Sequence, residues 1–82
     1  MIKILVEVSV PIIEEKYDIF IPNNKSIKTI IKLLEDSITE LSDNAYQKSP
    51  STLIYDKNGI PYNLNISVKD AKITNGSKLI LY

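Results

Sequence analysis

Only one stretch of this chain spaces its apolar residues as a helix does, and that limits the fold more than any other feature. In SIKTIIKLLEDSITELSD, residues 26–43, apolar positions 27, 30, 31, 34, 38 and 41 form a single stripe. Lys28, Lys32, Glu35 and Asp36 fall on the wet side, and Ser26 is placed to cap the first turn. Lys28 and Lys32 are like charges one turn apart, so surface pairing does not support this helix. Packing must hold it. With no second helix to receive the stripe, it has to be buried against a sheet.

The rest of the chain supplies that sheet. In IKILVEVSV, residues 2–10, Ile2, Ile4, Val6, Val8 and Val10 point one way while Lys3, Leu5, Glu7 and Ser9 point the other. Pro11 opens a connection, PIIEEK, because proline cannot donate to a ladder. The next strand, KYDIFIP, buries Tyr17, Ile19 and Ile21 and turns Asp18 and Phe20 outward, which reads as the second half of an antiparallel hairpin. After the helix, SDNAYQKSPS is a loop of turn formers, and TLIY is a short strand with Leu53 facing inward and Ile54 outward. DKNG is a turn around Gly59, and IPY can only be a short edge strand because of Pro61. Val68 and Ile73 read as plugs under a tight turn that Asp70 caps. The final strand, KLILY, belongs in the middle of the sheet, parallel to the first. The expected architecture is α+β, a mixed four- to five-stranded sheet packed on one α-helix, in a single domain spanning residues 1–82.

A domain of 82 residues buries only about 60–65% of its unfolded surface, so its fifteen isoleucines are needed in the core. Ten lysines balance ten carboxylates, and arginine is absent, so neither net field nor guanidinium forks favour nucleic acid. The absence of histidine and cysteine removes most nucleophile–base pairs and nearly all transition-metal sites. No apolar run reaches the roughly 18 residues of a membrane span, so direct membrane insertion is not expected and the expected location is cytoplasmic. The three Asn-x-Ser triplets, at Asn24, Asn65 and Asn75, then carry no glycan. The abundance of Ile, Lys and Asn fits an AT-biased genome such as a bacterium's. Two acidic pairs, Glu14-Glu15 and Glu35-Asp36, read as solvated surface rather than a catalytic dyad. DKNG matches a calcium loop poorly, with its glycine misplaced and no acid at the twelfth position. No catalytic, cofactor-binding or metal-binding residue is assigned.

The tail SVKDAKITNGSKLIL resembles the signature of the ubiquitin-like β-grasp fold. Val68, Asp70, Ile73, Leu79 and Leu81 match its apolar residue, acid, isoleucine and alternating last strand. In size, and in its ITNGSKL ending, the chain is similar to the YukD/EsaB-like ubiquitin-fold proteins associated with type VII (ESX-type) secretion. The acidic PIIEEK connection and the long SDNAYQKSPS loop depart from the family pattern. Ubiquitin and the related sulfur carriers act through a narrow, flexible Gly-Gly tail that enters an activating enzyme. Here the last residues are Leu81 and Tyr82, and no Gly-Gly occurs. The resemblance therefore implies a non-enzymatic, non-conjugated adaptor or regulator, a cytoplasmic accessory of a type VII system, in preference to a modifier or sulfur carrier. A stand-alone copy of a domain fused elsewhere to a membrane component is the third reading.

Alternation assigns the binding surface. The sheet face away from the helix is expected to carry Leu5, Phe20, Ile54, Ile80 and Tyr82, more apolar side chains than an isolated exposed leucine explains. The same face commonly receives partners in ubiquitin-like domains, as the resemblance implies. A patch of roughly 400 Å² contributes about 10 kcal/mol of gross burial. Association costs of about 4–15 kcal/mol consume most of it. The expected contact is a weak, regulated one with a secretion-machinery protein, or a weak homodimer.

Overall fold

The computed structural model describes residues 2–82. Strand β1 (Lys3–Val10) and strand β2 (Glu15–Pro22) form an antiparallel hairpin, joined by a 3-10 turn at Pro11–Ile13. Helix α1 (Ile27–Leu41) follows, then a long irregular segment containing only the two-residue strand β3 (Ile54–Tyr55). Strand β4 (Lys78–Leu81) completes the sheet, whose order is β2-β1-β4-β3, with β4 parallel to β1 and antiparallel to β3. The parallel central pair, the hairpin and the helix stand as the sequence implied. The IPY segment contributes a single bridge, Tyr55 with Pro61, and the sheet has four strands.

One side of the sheet packs on α1. Val6, Val8 and Val10 from β1, Ile19 and Ile21 from β2, and Leu79 and Leu81 from β4 meet Ile27, Ile30, Ile31, Leu34 and Ile38 of the helix. Val68 and Ile73 close the end of this core as plugs. The helix starts where Ser26 Oγ accepts the Thr29 N–H at 3.2 Å. Its first turn carries no acid and its last turn no base, so the macrodipole is unassisted and burial of the stripe is what stabilises it.

Four sequence expectations are corrected. Leu41 ends the stripe in sequence but lies 59% exposed, because the chain turns away after it through left-handed Asp43 and Asn44. Glu35, assigned to the wet side, is buried. The SDNAYQKSPS loop folds back over the helix, so Tyr46 joins the core and its hydroxyl donates to Glu35 Oε2 at 2.8 Å. Ser49 N–H donates to the same oxygen at 3.0 Å, and Thr52 Oγ1 lies 3.3 Å from the Tyr46 hydroxyl. Position 35 is one turn beyond Ile31 and so sits at the margin of the stripe, a signal its charge concealed. The turn near residue 70 is capped by Ser67, whose Oγ accepts the Asp70 N–H at 3.0 Å, rather than by Asp70.

The fourth correction concerns Ile54. It is fully buried, and Leu53 is the half-buried neighbour. Ile54 lies directly opposite Leu81, and residues opposite each other across two strands share a face. Since Leu81 faces the helix, Ile54 must as well. A two-residue strand has no alternation of its own to read, so pairing alone sets which side chain turns inward.

Candidate protein-binding face

The sheet face turned away from α1 is assembled row by row from strand register. Leu5 lies opposite Phe20, Glu7 opposite Asp18, and Ser9 opposite Lys16. Across the parallel pair, Glu7 meets Lys78 and Ser9 meets Ile80, and on the far side Ile80 meets Tyr55. The face is therefore a set of cross-strand rows: Leu5 with Phe20, then Asp18-Glu7-Lys78, then Lys16-Ser9-Ile80-Tyr55.

The five residues expected to form one patch do not. Phe20 is 63% exposed and Leu5 is half-buried beside it, at one end of the face. Ile80 and Tyr82 lie at the other end, and the charged row separates the two groups. Leu5 and the Ser9–Ile80 row are four residues apart along β1, about 13 Å. Ile54 belongs to neither group.

What the structure brings together at the second end is Pro11, Tyr55, Gly59, Ile80 and Tyr82, around a shallow open hollow of about 380 Å³. Of these, sequence reasoning named Ile80 and Tyr82. It missed Tyr55, which follows Ile80 onto the outer face for the same pairing reason that turns Ile54 inward. Tyr82 is held at its backbone while its side chain is 67% exposed. Its N–H donates to Leu53 O at 3.0 Å and its C=O accepts from Leu53 N–H at 3.1 Å. Gly59 is positioned by a turn in which Asp56 Oδ1 accepts the Asn58 and Ile60 N–H groups, at 2.8 and 3.1 Å. That turn needs a positive φ at Gly59, observed at 81°.

Among the described residues, no lysine and no carboxylate side chain lines the hollow. In a separate hollow lined by Asp56, Gly76 and Lys78, Tyr62 has its hydroxyl pKa raised from the ordinary value, first by burial and then by the charge of Asp56. Among the described residues no group of three or more acidic, histidine or cysteine side chains could hold a metal ion. An apolar hollow with aromatic rims can receive an apolar side chain from a partner.

No family model matches this chain, and no curated protein matches it. Among solved structures, the chain is similar to the ubiquitin-like domain of the Mycobacterium tuberculosis type VII secretion system protein EccD1, at 18% identity and a TM-score of 0.79, over 99% of this chain and 98% of that one. It is similar to the EccD5 ubiquitin-like domain from Mycobacterium xenopi, at 15% identity and a TM-score of 0.76, over 100% of this chain and 94% of that one. A chain of a toluene 4-monooxygenase complex also superposes, at 4% identity and a TM-score of 0.79, covering 96% and 95% of the two chains. At these identities the likeness establishes the fold, a ubiquitin-like β-grasp, and the last match shows that this fold also occurs within an oxygenase complex.

Proposed function

We propose that this ubiquitin-like β-grasp domain is a non-enzymatic, non-conjugated adaptor or regulator, acting in the cytoplasm as an accessory of a type VII secretion system. The observation that carries the reading is the apolar hollow at Pro11, Tyr55, Ile80 and Tyr82 on the helix-free sheet face. The similarity to the domain of a type VII secretion protein supports the choice of system. Supporting the non-conjugated reading, the two glycines are not adjacent and each lies in a turn at a positive φ. Among the described residues no helix is long and apolar enough to cross a membrane.

The test uses Ile80→Asp together with Tyr55→Ala. Both side chains lie on the outer face, so the melting temperature should stay within a few degrees of the parent's while capture of secretion-system proteins by cross-linking falls at least tenfold. Undiminished capture by the folded double variant would remove this face from the function. Formation of a covalent adduct with ATP and cell lysate, read by intact mass, would overturn the non-conjugated reading.

A further inference from the structure

We propose that two copies of this chain pair through the free edge of β2, in antiparallel register centred on Tyr17, joining their sheets into one. This interface is separate from the hollow around Ile80 and does not depend on the function assigned to it.

β2 is the outer strand of the sheet and runs eight residues against β1 without a bulge in its register. The direction of its backbone groups follows from β1. Leu5 and Glu7 of β1 turn toward β4: Leu5 C=O accepts from Gly76 N–H at 2.8 Å, and Glu7 N–H donates to Ser77 O at 3.0 Å. Backbone groups alternate along a strand, so Val6, Val8 and Val10 turn toward β2, where their partners are Ile19, Tyr17 and Glu15. Lys16, Asp18 and Phe20 therefore direct their N–H and C=O groups outward. Among the described residues none of the three has a backbone partner beyond the hairpin.

Such an edge is a template for another strand, and proteins that must stay monomeric blunt it with like charges, prolines or bulges. Here the charges alternate in sign. A twofold centred on Asp18 would set Asp18 against Asp18 of the second copy, and one centred on Lys16 would oppose two lysines, both unfavourable. Centring on Ile19 would set Lys16 against Pro22, which has no N–H to give. Centring on Tyr17 sets each Lys16 against Asp18 of the second copy, twice by symmetry. Those are also the residues whose backbone groups face outward, so each such pair can exchange both N–H···O bonds. Apolar surface flanks the edge on both sides. Phe20 lies exposed on one face, and on the other Ile13, half-buried Tyr17 and exposed Leu41 line a hollow beside β2 that Glu15 and Asp43 also border. Charge pattern, backbone direction and flanking apolar surface select one register and one occupant, a second copy.

Sedimentation equilibrium at low salt and protein concentrations up to about 1 mM should show reversible growth toward twice the 9.3 kDa monomer mass. Added salt should weaken it. Lys16→Asp and Asp18→Lys each place like charges across the axis, and each should weaken dimerisation roughly tenfold or more. The double reversal should restore it. Both side chains are exposed, so circular dichroism and melting should show all three variants folded. In the parent, amide exchange at Lys16 and Asp18 should slow with concentration, and Ile80→Asp should leave the dimer intact. A monomer at all concentrations, single reversals without effect, a double reversal that fails to restore, or protection appearing on β4 instead would each overturn the proposal.

Discussion

Residues 3–41 and residues 42–77 of this domain are held by different physics. The first region is three long regular elements whose side chains interlock: the hairpin alternates with period two, and the helix buries one stripe. Apart from the free edge of β2, its backbone polar groups are taken up by ladders and helix turns. The second region has one strand of two residues. Its backbone is satisfied by individual side chains: Asp56 in the turn before Gly59, Asn63 Oδ1 accepting Asn65 N–H, Ser67 before Asp70, and Ser77 Oγ accepting Thr74 N–H. Buried Glu35 fastens the start of this region to the helix. A small domain can leave close to half its chain irregular if single hydrogen bonds to named atoms replace repetitive ones and a few plugs such as Tyr46, Val68 and Ile73 reach the core.

The contrast predicts a graded response to substitution. Leu34→Ala removes a fully buried side chain at the centre of the first region and should cost about 2–5 kcal/mol. On a domain whose total stability is about 5–15 kcal/mol, that loss should be global, read as one cooperative shift in urea melts. Glu35→Ala strands the Ser49 N–H and removes the acceptor of the Tyr46 hydroxyl, and should cost about 1–3 kcal/mol. Its signature should be local, with amide exchange accelerating at residues 46–52 before the hairpin responds. If Leu34→Ala loosened only the helix, or Glu35→Ala melted the whole sheet at once, the division between the regions would fail.

Alkaline pH probes the same junction from its chemistry. Burial, followed by the neighbouring Glu35 carboxylate, raises the Tyr46 hydroxyl pKa above its ordinary 10.0, although its bond to Thr52 pulls the other way. The folded state thus holds this proton more tightly than the unfolded chain does. The stability it contributes is present below about pH 10 and is lost as pH rises through the folded-state value. Tyr46→Phe should flatten that loss, while Tyr62, raised for its own reasons, should leave a residual slope. An unchanged alkaline slope in Tyr46→Phe would place the titration elsewhere. The smallest effect belongs to Lys72, held at a positive φ of 61° without the freedom of glycine. Lys72→Gly should stabilise by about 0.5 kcal/mol, the relief of left-handed strain less the added entropy of the unfolded chain. A loss of stability on that substitution would show that the lysine side chain holds the turn.

Much of this was legible in order of regularity. Eight residues of β1 repeat one alternation, and six apolar positions in α1 repeat one stripe, so each element is specified several times over. A strand of two residues offers one choice and no repetition, so alternation carries no reliable direction for Ile54 or Tyr55. The charge of Glu35 conceals its position on the margin of the stripe.

Residue order along the chain already places one helix on one sheet, sets where the hairpin and helix run, and turns Ile80 and Tyr82 away from the core. Those follow from local periodicity, in which neighbours along the chain constrain each other. Contacts across space turn Ile54 inward and Tyr55 outward, set a charged row between Leu5 with Phe20 and Ile80 with Tyr82, and tie the long loop to the helix through a buried carboxylate. Each of those depends on the register of a residue against one distant in the chain, and register is set by pairing and packing across space.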